Sequence, residues 1–290
     1  MIQKISDILK SKGRTYSIEF FAPKTDKGYA RMMETAAAFA EIAPDWFSVT
    51  YGAGGTTQDS TLELVDKLQK RLFIPTMHHL TCVGHSPAEL ETMLQQLEAR
   101  DIRNILALLG DPPQNVLDWK PAADQFQYCY QLVKLIRSHK GFFSVGVAGF
   151  PEGHINCPDK ETDARYLKHK IDAGGEFVIT QLFFDNRDYF EYVARVRRHG
   201  VKVRIIPGIL PITDYQALIR FCNTCGASIP QRVHEIFRPL DGDATATIGA
   251  GIEFTTQQCR KLLEGGAPGL HFFSLNKINP TLEIIKRVQS

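Results

Sequence analysis

The chain has 290 residues, of which 43% are hydrophobic, and its 34 lysines and arginines almost balance 32 aspartates and glutamates. A net charge of +2, with the basic residues scattered, argues against a nucleic-acid-binding protein. There is no apolar run of about 18 residues and no secretory signal at the N-terminus, so we expect a cytoplasmic protein without a membrane span.

Short runs of β-branched and aromatic residues alternate with longer amphipathic stretches along the whole chain. The predicted strands are 16–21, 46–51, 76–82, 103–109, 143–149, 177–184, 202–207 and 270–275. The predicted helices are 2–11, 28–42, 58–71, 87–99, 122–138, 160–173, 186–199, 213–224, 243–264 and 280–288. Because parallel strands need crossover connections, this order predicts one α/β domain over 1–290: a (β/α)8 TIM barrel with an extra N-terminal helix and additional helices before the last strand.

Alternation along the first strand predicts that the side chain of Glu19 lies inside the barrel. Tyr16, Ile18 and Phe20 form the apolar set that suits the helix-facing side, so Glu19 points the other way. A buried carboxylate is costly unless it is paired, hydrogen-bonded or protonated. Position 19 is therefore either a satisfied internal glutamate or a catalytic group with an elevated pKa.

The same alternation predicts further functional side chains at the carboxyl ends of the strands, where barrel enzymes build their active sites. These residues are Thr50, His79, Asp111, Phe150 and Gln181. In the fifth strand, Ser144, Gly146 and Ala148 share the side of Phe150 and would leave room for a flat ligand. In the sixth strand, Gln181 shares a face with Ile179 and Phe183. Each candidate could instead be an ordinary rim or capping residue.

Three patterns that can mark a site are weak here. The segment 52–57, GAGGTT, has Thr57 where the dinucleotide fingerprint needs its third glycine, so any dinucleotide is held without a Rossmann domain. His78 and His79 face opposite ways on one strand and cannot chelate together, so we predict no metal site. The C-x-x-C at 222–225 has either a redox or metal role or two idle thiols.

Eight segments resemble the motifs of methylenetetrahydrofolate reductases. They are SIEFFAP at 17–23, VTYGA at 49–53, HLTC at 79–82, LGDPP at 109–113, GFPEGH at 149–154, ITQLFFD at 179–185, PGILP at 207–211 and HFFSLN at 271–276. The resemblance implies an FAD-containing barrel that uses NADH or NADPH to reduce 5,10-methylenetetrahydrofolate to 5-methyltetrahydrofolate. It also implies ping-pong hydride transfer through the flavin, a role in methionine synthesis, a homo-oligomer, and no S-adenosylmethionine-controlled regulatory domain.

Carried over residue by residue, the resemblance implies roles for the candidate residues. Glu19 matches the general acid that opens the methylene bridge, and Asp111 matches a carboxylate that tunes the flavin and binds folate. Gln181, Phe221 and Lys277 match substrate-binding positions. The cofactor-binding positions are Thr50, Tyr51, Ala53, His79, Gly110, Asp111, Tyr128, Cys129, Phe150, His154, Asp163, Tyr166, His169 and Lys170.

The chain also departs from the family pattern. Leu109 replaces an arginine that contacts FAD, and Tyr166 and His169 replace an asparagine and an arginine used by some relatives. Phe273 stands where tyrosine is common, and Lys277 replaces an arginine, which keeps the charge but loses the bidentate fork. These departures leave the affinity for FAD open.

Other interpretations stay open at this point. On charge pattern alone, the segment 163–170 is a solvated helix face rather than a phosphate-binding one. The barrel could bind flavin or folate with weak or lost reductase activity. A different barrel enzyme, such as an aldolase, would favour a Schiff-base lysine on an inner strand face, and no predicted strand carries a persuasive one.

Overall fold

The structure is a computed structural model that describes residues 2–23, 25–51, 58–110 and 120–290. Its strands form a closed barrel in which each strand pairs in parallel with its neighbours in chain order, and the last closes against the first. The strands are β1 Thr15–Phe20, β2 Trp46–Val49, β3 Thr76–Thr81, β4 Asn104–Leu108, β5 Ser144–Gly149, β6 Phe177–Leu182, β7 Arg204–Ile209 and β8 Gly269–Phe273. The predicted TIM barrel is confirmed.

Helices surround this barrel. They are α1 Ile5–Ser11, α2 Asp26–Ala40, α3 Gln58–Leu72, α4 Pro87–Ala99, α5 Cys129–Ser138, α6 Lys160–Asp172, α7 Asn186–Arg198, α8 Tyr215–Cys225, α9 Gln231–Phe237, α10 Ala244–Glu264 and α11 Ile278–Gln289. The predicted start of the fifth helix at 122 is wrong. The side chain of Gln131 accepts hydrogen bonds from the backbone N–H groups of Gln127 and Tyr128, both at 2.9 Å, and the helix begins only after them. No helix among the described residues has the length and apolarity needed to cross a bilayer.

The two faces of the strands belong to separate cores. Outward side chains such as Ile18, Phe20 and Val49 pack against the surrounding helices. The inward core at the amino end consists of Ile5, Ile8, Leu9, Trp46, Met77, Leu106, Phe177, Ile179 and Ile206. Helix α1 closes this end, because its backbone N–H groups at Ile5 and Ser6 donate to the side chains of Asn104 and Ser144, the first residues of β4 and β5. Room for a ligand is therefore left at the carboxyl end.

Two details of the barrel interior differ from expectation. A Cβ atom at Gly146 would lie 2.5 Å from the ring of Phe177, so the space beside this glycine is filled and the expected room for a flat ligand does not extend to it. In β6, a register irregularity lies between Ile179 and Leu182. It places Ile179 in the inner core and Phe183 in the outer one, so the expectation that they share a face is wrong.

Candidate active site

Glu19 points into the barrel, as predicted, and lies in a cluster of buried polar side chains. Its Oε2 atom is 3.2 Å from Nε2 of His271 and 3.3 Å from Nε2 of His79. Two serines extend the cluster: Ser17 Oγ lies 2.7 Å from His271 Nδ1, and Ser48 Oγ lies 2.6 Å from His79 Nε2. Hydrogen bonds thus link Ser17 through His271 to the carboxylate of Glu19, and the hydrogen-bonded pair of Ser48 and His79 lies beside the same carboxylate.

The strand register explains why these side chains meet. Glu19 is paired with Ser48 across β1 and β2, and Ser17 is paired with His271 across β1 and β8. Paired residues on neighbouring parallel strands lie at the same level of the barrel and on the same face. His271 and the two serines had not been predicted as site residues, although alternation between the outward Leu270 and Phe272 would have placed His271 inside.

The carboxyl of Glu19 has a pKa below its ordinary value. Burial raises this pKa, but the nearby imidazole of His79 and the hydrogen bonds with His271 and Ser48 outweigh it. The elevated pKa expected from the sequence is therefore wrong, because these contacts stabilise the carboxylate. Burial lowers the pKa of His79 to about 4, although the negative charge of Glu19 opposes this. Near neutral pH, the cluster thus holds an ionised Glu19 beside a neutral His79.

We expect folding stability to fall on mild acidification because of two buried histidines. Burial lowers the pKa of His78 to about 3 and that of His79 to about 4. The unfolded chain therefore binds more protons than the folded one below about pH 6.5, and stability is lost as the pH falls from there. Each histidine contributes a loss of about 1.4 kcal/mol between about pH 7.5 and 5.5. Urea unfolding of the parent and His78→Leu proteins at both pH values measures this loss, and an unchanged pH dependence in the variant would contradict it.

Several predicted cofactor residues form an exposed aromatic surface. The rings of Tyr128 and Tyr166 are stacked with centroids 5.7 Å apart, and both side chains are exposed. Tyr130 also stacks with Tyr128, with centroids 5.8 Å apart, and His169 contacts Tyr166 edge to face at 6.2 Å. Stacked rings that stay exposed provide a flat surface on which another ring system can pack.

Next to this surface, a lysine and a buried acid lie at the end of β5. Lys170 Nζ donates to the carbonyl oxygen of Ala148 at 2.6 Å and lies 5.6 Å from the ring centroid of Phe150. Asp163 is buried, which raises its pKa, although Lys170 is among the cations that oppose the shift. His154 contacts the ring of Phe150 edge to face at 4.6 Å. Because Asp163 and Lys170 are withdrawn from solvent, the interpretation of 163–170 as a wholly solvated face is wrong.

The remaining cofactor candidates lie along the strand ends. Thr50 Oγ1 accepts from the backbone N–H of Ala22 at 3.4 Å, and the hydroxyl of Tyr51 lies 3.2 Å from His85 Nε2. Gly110 has a φ of +92°, which favours glycine, and any Cβ there would press on the side chain of Thr81. Cys129 Sγ donates to a backbone carbonyl, and burial raises the pKa of its thiol to about 11. Ala53 and Asp111 lie outside the described residues.

Each of the three predicted substrate-binding residues makes a different contact. Gln181 lines a small cavity together with Phe150 and Cys225, and its Oε1 accepts from the backbone N–H of Leu182 at 2.9 Å. Lys277 Nζ donates to Thr213 Oγ1 at 3.1 Å. Phe221 is partly buried against the core formed by α8, α9 and the ends of β6 and β7.

The C-x-x-C pair lies at the end of α8, with its cysteines free. Burial raises the pKa of Cys222 to about 12 and also raises that of Cys225. Since the thiolate is the reactive and metal-binding form, these values favour idle thiols over a redox or metal pair.

Comparison with known proteins identifies a family that matches this chain. A sequence model of the methylenetetrahydrofolate reductase family matches residues 4–289. Methylenetetrahydrofolate reductase (NADH) 1 of Arabidopsis thaliana is 33% identical over 286 residues, which cover 95% of this chain and 48% of that protein. Methylenetetrahydrofolate reductase 2 of Saccharomyces cerevisiae is 36% identical over 293 residues, which cover 99% of this chain and 49% of that protein. The chain thus spans about half the length of these two relatives.

A bacterial relative is nearer in length, and solved structures share the fold. The 5,10-methylenetetrahydrofolate reductase of Pectobacterium carotovorum is 32% identical over 261 residues, which cover 90% of this chain and 85% of that protein. An uncharacterized Clostridium thermocellum protein that binds two copies of 5-methyl-5,6,7,8-tetrahydrofolic acid superposes with a TM-score of 0.64 and 15% identity, covering 98% of this chain and 97% of that one. At this identity, the likeness shows the fold alone.

Proposed function

Because the chain belongs to the methylenetetrahydrofolate reductase family, we propose that it reduces 5,10-methylenetetrahydrofolate to 5-methyltetrahydrofolate. The observation that carries this proposal is the buried cluster of Glu19, His79 and His271 inside the barrel near the carboxyl ends of the strands. The reduction consumes a hydride and a proton. Titratable side chains in this cluster can supply the proton inside the barrel, near the carboxyl ends of the strands. A nicotinamide is the electron source, since relatives are named as NADH or NADPH enzymes.

The described residues fit FAD as the resident cofactor. The exposed stack of Tyr128 and Tyr166 offers a flat surface for a ring system, and the ammonium of Lys170 lies beside it for a diphosphate. When bound, FAD supplies hydride transfer between the nicotinamide and the folate. We assign Thr50, Tyr51, His79, Gly110 and the other predicted cofactor positions to this site, with Ala53 and Asp111 among them.

Glu19 supplies the proton that opens the methylene bridge. The bond between the bridging carbon and N10 breaks, N10 takes the proton, and the carbon is left as an iminium on N5, which a hydride then reduces. A pterin covering Glu19 removes its remaining contact with water, which raises the pKa of the carboxyl because desolvation penalises the charged form. Between turnovers, the open site lets the carboxyl of Glu19, which is 6% exposed, regain its proton from water.

The other predicted residues orient the folate at the same end of the barrel. We assign the amide of Gln181 as a donor to the pterin or the nicotinamide, and the ammonium of Lys277 as the group that attracts the carboxylates of the folate tail. Asp111 binds the pterin and tunes the flavin. The two substrates use one site in turn, which gives ping-pong kinetics. We further infer one barrel domain, a homo-oligomer in the cytoplasm, and a product that supplies methyl groups for methionine.

The visible spectrum of the purified protein tests this function. We expect an oxidised-flavin band that NADH or NADPH bleaches and methylenetetrahydrofolate restores. Lys170→Ala is expected to weaken FAD binding about 10-fold, because it removes a charge-assisted contact. Lys168→Ala is the matched control, since Lys168 lies on the same helix but pairs with Asp172 on the surface.

Two outcomes separate the competing interpretations. A protein that stays colourless after incubation with FAD would contradict the assigned cofactor. A band that the reductant bleaches but methylenetetrahydrofolate does not restore would instead indicate a flavin-binding barrel without reductase activity.

A further inference from the structure

A cleft of about 620 Å³ lies between α7, α9 and α10, and none of its lining residues belongs to a strand. It is therefore separate from the proposed active site inside the barrel. Small-molecule sites have volumes of about 300–1,000 Å³. The cleft is large enough for a ligand to which the proposed reductase reaction assigns no role.

The lining of the cleft carries an excess of positive charge. Arg187, Arg232 and Lys261 face a single carboxylate, that of Asp185, so two positive charges are left over. Arg187 is paired with Asp185 at 2.7 Å, and Arg232 is held by a hydrogen bond to the carbonyl oxygen of Phe184 at 2.8 Å. The backbone carbonyl of Lys261 accepts from Gly265 within the helix, but its ammonium has no hydrogen bond or ion pair with any described residue. An anion in the cleft would neutralise this excess.

Apolar rings complete the lining. Phe190 and Phe254 are half-buried, and the guanidinium of Arg232 lies 5.6 Å from the ring centroid of Phe254. The exposed parts of these rings offer an apolar surface against which a flat ring system can pack.

We propose that the cleft binds a nucleoside phosphate. The phosphate interacts with Arg187 and Lys261, and the base packs against Phe190 and Phe254. A phosphate monoester carries about two negative charges near neutral pH and so matches the two uncompensated positive charges, whereas a simple aromatic carboxylate carries one and inorganic phosphate has no ring.

Calorimetric titration of the FAD-loaded protein, freed of unbound FAD, with adenosine 5′-monophosphate tests the proposal. We expect saturable binding, at least about 10-fold weaker binding of adenosine and of inorganic phosphate, and a dissociation constant raised about 10-fold by Lys261→Ala or Arg187→Ala. Lys202→Ala is the matched control, because it removes the same charge from an exposed position outside the cleft.

Either of two results would overturn the proposal: no saturable binding, or binding that Lys261→Ala and Arg187→Ala leave unchanged. The second would place the nucleotide elsewhere on the protein. Because the readout is binding and the variants lie outside the barrel, failure of the proposed reductase activity leaves this test intact.

Discussion

Replacing Glu19 with glutamine is expected to slow the folate-dependent half of the reaction by about 10²–10⁴-fold, the usual contribution of a positioned general acid. Glutamine keeps the shape of the side chain and its hydrogen bond with His271, but it cannot deliver a proton to N10. Reduction of the flavin by the nicotinamide needs no such proton and is expected to stay within a few fold of the parent rate. Stopped-flow measurement of the two half-reactions separates these effects.

The control for this variant is Glu63→Gln, which removes a surface carboxylate paired with Lys67 on α3. It is expected to leave both half-reactions unchanged. Retention of the flavin band and of the unfolding midpoint shows that the Glu19→Gln protein is folded. A folded variant that reoxidises with methylenetetrahydrofolate at the parent rate would refute the role of Glu19 as the acid.

The fold was predictable because the signals that specify it are local. Each predicted strand boundary lies within two residues of the observed one, since short apolar runs separated by amphipathic helices are typical of a parallel barrel. Alternation alone also placed Glu19 inside, because the apolar residues Ile18 and Phe20 on either side of it need the helix-facing core.

The features that were missed depend on contacts between distant parts of the chain. The pKa of Glu19 is lowered partly through His271, which lies 252 residues away in sequence. No local pattern shows that Phe177 fills the space beside Gly146, since they come from different strands. The start of α5 shifted because the side chain of Gln131 caps the turn before the helix, a contact that periodicity does not report.

Alanine substitutions at two glycines on α10 are expected to change the stability of the protein in opposite directions. A Cβ at Gly251 would overlap the carbonyl oxygen of Ile212, whereas a Cβ at Gly249 would meet nothing within 4 Å. Alanine lowers the backbone entropy of the unfolded chain relative to glycine, so Gly249→Ala is expected to stabilise the protein by about 0.5–1 kcal/mol. Gly251→Ala gains the same helix propensity, but its added methyl group overlaps a buried backbone atom.

Gly251→Ala is expected to destabilise the protein by about 2–3 kcal/mol, because the obstructing atom belongs to backbone and cannot move away like a flexible side chain. Ile212 is buried in the core beneath α8, and the next residue, Thr213, accepts the hydrogen bond from Lys277. Relief of the overlap must therefore displace the loop after β7 that holds this substrate-binding candidate. Urea unfolding of the parent and both variants measures the difference, and changes of equal sign and size would show that α10 does not pack against this loop as described.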